Sequence, residues 1–318
     1  MRLELCNQSK YRGSGRLGDD VPLIVPGGVY GVFDGATDPR GTMVGNVGAG
    51  RIAAETVAST VAAMARDPAT PDMDAERIIG HLSDALEART RPLGLAIPPS
   101  TTLAIVFDCG DSWRFLILGD TGIRLNRDEV LRREKLIDEV STHARVAVFR
   151  ELQRSGEAPD TIERKARAAI LLGFDQAVGN GTISRAFADR VMDETALRTG
   201  LDDWSSTVRQ FLSGGIQTQF RFGNARGNPL CFDTMNGARP VLGETIDLRR
   251  PKAAIRSIEI FSDGYVDMPE AFGVAAWERR FEETEALDYH KTGPFAGVKG
   301  STSEEVFDDR TVITLGEL

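Results

Sequence analysis

Cysteine and histidine are scarce in this chain, with three of each scattered over 318 residues. Cys6, Cys109 and Cys231 are widely spaced and odd in number. That argues against a disulfide framework and sets a reducing cytoplasm as the expected location. His81, His143 and His290 lie in unrelated segments, so a zinc site of nitrogen and sulfur ligands is not expected. No apolar run approaches the roughly eighteen residues that a membrane helix needs. The first residues, Met1 to Cys6, alternate polar and apolar, so a first strand is expected there rather than an export signal. Positive charge is also in deficit, since 38 Lys and Arg face 47 Asp and Glu and leave a net charge of −9. Nucleic acid and anionic membranes both need a positive field, so neither is an expected partner.

What the chain does have is short apolar runs near both ends and charged, helix-patterned sequence between them. Val29-Tyr30-Gly31-Val32-Phe33 reads as a buried strand that stops at Asp34-Gly35. A glycine-rich loop over 41–50 leads to a helix over about 51–64, with Ala53, Val57, Val61 and Met64 on one face. A second helix over about 75–86 has Ile78, Leu82 and Ala85 on its inner face. Strand-like runs follow at 101–107, 113–118 and 122–125. The stretch 128–179 reads as two long charged helices, within which Arg132-Arg133-Glu134-Lys135 is a solvated face. The stretch 183–219 is mixed, and strands return at 229–233, 254–261 and 311–315. Strands at both ends with helices in blocks favour an α+β layered fold over a doubly wound parallel sheet. With no repeat and no linker, one domain over 1–318 is expected, carrying a helical insertion or flap at about 128–225.

One local pattern occurs four times: an apolar run ends in an aspartate beside a glycine, a serine or another aspartate. The cases are Val32-Phe33-Asp34-Gly35, Ile117-Leu118-Gly119-Asp120, Ile260-Phe261-Ser262-Asp263-Gly264 and Val306-Phe307-Asp308-Asp309. A carboxylate at the mouth of a strand sits on a rigid element, and a glycine beside it lets the backbone turn. Any single Asp-Gly is an ordinary turn. Several carboxylates brought together repel one another unless a cation neutralises them. Hard divalent cations take such oxygen ligands.

In this order the segments resemble the metal-dependent protein phosphatases, the PPM or type 2C serine/threonine family, in a divergent bacterial form. The family carries hydrophobic-Asp-Gly early, Gly-Asp mid-chain, Ser-Asp-Gly later and an Asp-Asn-x-Thr-like motif near the end. The counterparts here are Val32-Phe33-Asp34-Gly35, Gly119-Asp120, Phe261-Ser262-Asp263-Gly264 and Asp308-Asp309-Arg310-Thr311. The resemblance implies a four-layer sandwich, two packed antiparallel sheets flanked by helices. It makes Asp34 a carboxylate bridging two Mg²⁺ or Mn²⁺ ions, with the Gly35 carbonyl, Asp263 and Asp308 completing the site. Asp120, with Asp263, would hold a looser third ion, and Asp20 of Gly18-Asp19-Asp20 would reach the metals mainly through water. The implied reaction is hydrolysis of phosphoserine and phosphothreonine in a phosphorylated protein partner, by a hydroxide held between the metals. Asp34 and Asp263 are the residues on which that catalysis would depend.

The chain also departs from the family pattern. Ala36-Thr37-Asp38 stands where the family often has His or Met and two glycines. Gly15 occupies the position of the phosphate-binding arginine, which leaves the adjacent Arg16 as the candidate for that role. Asp120 and Asp263 are separated by 263 − 120 = 143 positions, generous for the family, so the helical stretch reads as an enlarged flap that selects substrates.

Rival motifs are weaker. Asp120-Thr121-Gly122 is similar to half an aspartic-protease site, which needs a second such loop to share its proton. Phe33-Asp34 is similar to the haloacid-dehalogenase-like phosphatases, whose second Asp is Ala36 here. Gly48 to Ala53 fits a loose dinucleotide pattern but follows no strand. His290, between Asp263 and Asp308, is the one histidine to examine for a site role. Two other functional readings remain open: a catalytically silent phosphatase-like module that binds or regulates a partner, and a phosphatase of small metabolites.

Overall fold

Strand alternation decides the layers of this chain. The computed structural model describes residues 2–316; Met1, with which the expected first strand begins, lies outside them, as do Glu317 and Leu318. The chain opens with β1 (Arg2–Gln8), β2 (Val21–Val25), β3 (Val29–Gly35) and a small hairpin of β4 (Met43–Val44) and β5 (Val47–Gly48). Helices α1 (Ala49–Met64) and α2 (Ala75–Thr90) precede β6 (Thr101–Asp108), β7 (Ser112–Leu118), β8 (Gly122–Leu125) and β9 (Glu129–Leu131). Five helices follow: α3 (Leu136–Leu152), α4 (Pro159–Leu172), α5 (Phe174–Gly179), α6 (Arg185–Arg198) and α7 (Ser205–Gly214). The chain closes through β10 (Ile246–Pro251), β11 (Ser257–Phe261), α8 (Val274–Leu287) and β12 (Arg310–Gly316).

Along β6, Leu103, Ile105 and Phe107 pack to one side and Ala104 and Val106 to the other, all buried. A strand buried on both faces needs a layer on each side. One antiparallel sheet runs β10-β7-β6-β3-β2 and the other β1-β12-β11-β8-β9. Their inner faces meet through Tyr30, Val32, Phe115, Ile117, Ile260 and Ile313. Ala53, Val57 and Val61 of α1 and Ile78 and Leu82 of α2 cover the outer face of the first sheet. Trp277 and Phe281 of α8 cover Phe261 and Val312 of the second. The expected α+β sandwich of two antiparallel sheets flanked by helices is what the chain forms.

Besides the β4–β5 hairpin inside the expected glycine-rich loop, three edge strands and one loop differ from the sequence reading. β2 contains Pro22, which lacks a ladder donor, and it lies at the sheet edge where that is tolerated. β10 and the short β9 are edge strands too, with mostly accessible residues. The expected strand at 229–233 is a loop whose shape comes from a side chain. Asp233 accepts from the backbone N–H groups of Val241 (2.8 Å), Leu242 (3.0 Å) and Glu244 (3.1 Å). Such local side-chain bonds offer the backbone an alternative to a ladder.

Helices α3 to α7, between β9 and β10, enclose a core of their own that includes Val140, Val148, Phe149, Ile162 and Phe211. They are fastened to the segment that leads into β12. Arg145 of α3 is fully buried and pairs with Glu163 of α4. Its guanidinium also donates to the carbonyls of Gly297 (2.8 Å), His290 (2.8 Å) and Lys291. Glu163 accepts from the N–H of Gly300 (2.7 Å), and Arg167 reaches Glu305 and the Gly300 carbonyl, both at 2.8 Å.

Candidate metal centre

Asp34 lies on β3 in step with Tyr30 and Val32, the residues that face the other sheet. It pairs in register with Thr102, and Thr101 Oγ1 donates to its carbonyl at 2.8 Å. Asp263 leaves β11 of the opposite sheet, and Asp308 enters β12 beside it. Asp120 sits in the turn from β7 to β8, which carries the chain from one sheet to the other. Asp20 immediately precedes β2. Strand ends of both sheets thus deliver the five aspartates expected from the sequence.

Close packing fixes these strand ends. Ser262 Oγ donates to Asp20 Oδ2 at 2.6 Å and accepts from the N–H of Thr311 at 2.9 Å. That one hydroxyl ties the exit of β11, the start of β12 and the entry to β2. A Cβ on Gly264 would stand 1.8 Å from the Asp309 carbonyl oxygen, so the Ser262-Asp263-Gly264 turn admits only glycine there. At Gly119, φ is +92° and a Cβ would stand 2.4 Å from Thr102 Cγ2, which fixes the backbone that presents Asp120.

The carboxylates divide by their electrostatics. Asp34, Asp120, Asp263 and Asp308 keep a fraction of surface accessible, while Asp20 is buried. Burial, then the charges of Asp20, Asp308 and Asp120, pushes the Asp34 carboxyl well above the usual range, although a hydrogen bond with Asp263 opposes this. Burial, then Asp34 and Asp308, does the same to Asp263. Burial and the neighbouring Asp309 raise Asp20 to about 8. The Oδ1 atom of Asp20 is buried without a hydrogen-bond partner. Asp308 goes the other way: burial pushes it up, but Lys299 and Lys10 outweigh burial and hold it below the usual range.

Three lysines that the sequence reading did not single out stand among these acids. Lys299 Nζ lies 2.6 Å from Asp308. Lys10 Nζ lies 2.8 Å from Asp309, 3.6 Å from Asp19 and 3.7 Å from Asp308. Lys135, read from the sequence as part of a solvated charge run, turns inward and lies 2.7 Å from Asp120 and 3.3 Å from Asp138. A lysine in a charged segment carries no sequence signal for burial, so these were illegible. Asp309, in the motif Asp308-Asp309-Arg310-Thr311, has a structural part of its own. It is nearly buried and accepts from the Lys10 and Asp19 N–H groups at 2.8 Å and 2.9 Å.

The donor set can be tested against divalent cations. Among the described residues, no group of three or more Asp, Glu, His or Cys side chains closes into a finished metal cage. A Mg²⁺-like ion does not need one, because it keeps several waters and takes one or two carboxylates. The Asp34 and Asp263 carboxylates, the Gly35 carbonyl and the orphaned Asp20 Oδ1 are all hard oxygen donors, and a cation would relieve the repulsion that otherwise keeps these acids protonated. The fit holds around Asp34 and Asp263. At Asp120 and Asp308 a lysine ammonium already stands, at 2.7 Å and 2.6 Å.

Arg16 is exposed, with its guanidinium 3.9 Å from the centroid of the Tyr11 ring. His290 packs against Phe149, with Nδ1 3.0 Å from the Ser301 carbonyl. A pocket of about 100 Å³ opens beside the centre, lined by Thr37, Thr102 and Lys135 and by the apolar Pro98, Ile216 and Phe232.

No protein-family model matches this chain, and no curated protein matches it. Solved structures do. The chain is similar to the Mycobacterium tuberculosis serine/threonine phosphatase PstP/Ppp at 14% identity, covering 100% of this chain and 99% of that one, with a TM-score of 0.47. Against the catalytic domain of PstP in complex with two manganese ions the values are 15%, 98%, 96% and 0.44. Against the serine/threonine phosphatase Stp1 from Staphylococcus aureus they are 11%, 99%, 94% and 0.46.

Proposed function

We propose that this chain is a divalent-metal-dependent phosphatase of the type 2C kind, in a divergent bacterial form, acting on phosphoserine and phosphothreonine in cytoplasmic proteins. One observation carries the reading. Asp34 and Asp263, separated by 263 − 34 = 229 positions, stand at the rims of two sheets close enough that the charge of Asp34 raises Asp263, and among the described residues no ion pair reaches either. Two such carboxylates are costly to bury together without a cation. Asp34, the Gly35 carbonyl and Asp263 would hold Mg²⁺ or Mn²⁺, two ions in the full reading, with Asp308 joining once Lys299 swings aside. When bound, such ions supply Lewis acidity that polarises a phosphoryl oxygen and makes water a better nucleophile at neutral pH. The chain's own part is to fix the donors: Ser262 orients Asp20, Gly264 lets Asp263 turn inward, and Thr101 pins the backbone of Asp34.

Hydrolysis of p-nitrophenyl phosphate tests this directly. Turnover that requires Mn²⁺ or Mg²⁺ and stops with EDTA, followed by release of phosphate from a phosphothreonine peptide, is the expected result. Turnover indifferent to EDTA, or none at any metal concentration, overturns it. The ammonium groups on Asp120 and Asp308 favour a second reading, a silent module that binds a phosphoprotein; phosphopeptide binding without turnover would select it.

A further inference from the structure

We infer that Lys135 is a built-in cation that takes the place of a third divalent ion on Asp120. The inference rests on the metal-centre reading above and sharpens it.

The ammonium of Lys135 is 2.7 Å from Asp120 Oδ2 and 3.3 Å from Asp138 Oδ2, so it is shared between two carboxylates. Asp138 lies in the first turn of α3, just after Lys135 itself. A second link closes the same loop from the backbone, because the Arg133 N–H donates to the Gly119 carbonyl at 3.1 Å. Asp120 cannot retreat from this arrangement, since the positive φ at Gly119 and its contact with Thr102 fix the turn. The Phe232 ring, 5.6 Å from the ammonium, lies on another side.

Lys299 makes a useful contrast. Its ammonium pairs with the single carboxylate of Asp308, on a segment between α8 and β12, and is about as accessible as Lys135 (side chains 22% and 17% exposed). Such a lysine can swing into solvent when a divalent ion arrives. Lys135 has two acids to leave, and the bond from the Arg133 N–H to the Gly119 carbonyl holds its segment against the turn. A divalent ion seeking Asp120 would therefore meet a fixed positive charge at hydrogen-bond distance from its ligand. The consequence is functional: the charge on Asp120 is balanced at every metal concentration, so no weakly held ion is recruited there as metal rises. The helical region between β9 and β10 thereby contributes a residue to the centre.

Counting bound Mn²⁺ on the full chain, by isothermal titration or from the free-ion paramagnetic resonance signal, tests this. Asp120→Asn should bind as many ions as the wild type. Lys135→Met should bind one more ion per chain, because Asp120 and Asp138 then face each other without a cation. Loss of an ion in Asp120→Asn, or no gain in a folded Lys135→Met, overturns the inference. If Lys135→Met does not fold, the count in Asp120→Asn decides alone. Asp34→Asn separates the two claims: it should lose the tightly bound ions. A wild type that binds none, with one ion gained in Lys135→Met, would keep this inference and remove the phosphatase reading.

Discussion

Two groups of carboxylates share one cleft and are treated in opposite ways. Asp309, Asp308 and Asp120 each have a lysine ammonium within 2.8 Å. Asp34 and Asp263 have no ion-pair partner among the described residues, and Asp20 has a serine hydroxyl with one oxygen left orphaned. The first group is a set of internally balanced charges that pin the N-terminal segment, the turn after β7 and the start of β12. The second is a set of acids that stay protonated until a cation takes the place of the protons. A fold retains the second kind only at a cost, and an incoming cation is what offsets it.

The comparison is broken most severely by removing the unbalanced acids. Asp34→Ala and Asp263→Ala should each lower kcat on p-nitrophenyl phosphate by ~10³-fold or more while leaving the protein folded. Near-normal turnover in both would show that the cleft is not the reacting site. Arg145 and Glu163 offer a fully balanced reference elsewhere in the molecule. Arg145→Ala strands a buried carboxylate and several backbone carbonyls, and should cost about 3–5 kcal/mol in chemical denaturation. A loss of under about 1 kcal/mol would mean that the helical region is only loosely attached.

Acidity sharpens the contrast further. In metal-free protein the folded state keeps protons on Asp34, Asp263 and Asp20, the last up to about 8, whereas the unfolded chain releases them in the ordinary carboxylate range. The folded state binds more protons, so stability should fall as pH rises from the ordinary carboxylate range through about 8. Urea midpoints across that range should show the decline, and saturating Mn²⁺ should flatten it; a metal-free midpoint that rises instead would reverse the assignment. The smallest effect is expected at Ser262. Its replacement by Ala leaves Asp20 Oδ2 and the Thr311 N–H without their partner, a loss of about 1–3 kcal/mol in the same assay.

The sequence disclosed the acids and concealed the bases. An apolar run that stops at Asp34-Gly35 or Ser262-Asp263-Gly264 announces a strand mouth, because burial and turn chemistry both leave marks in residue type. Lys135 sits in Arg132-Arg133-Glu134-Lys135, where Arg132 and Glu134 do pair at the surface (2.6 Å) and only the last residue turns inward. Nothing in the four letters distinguishes it. Edge strands were equally hidden: Pro22 disguises β2, and the accessible alternation of β10 looks like loop. The segment 229–233 was apolar enough to look like a strand, yet the Asp233 carboxylate decides its shape.

The central claim is best tested by anomalous scattering at the manganese edge from crystals soaked in Mn²⁺. The account predicts a peak within coordination distance of both Asp34 and Asp263. A difference map with no ion there would contradict it.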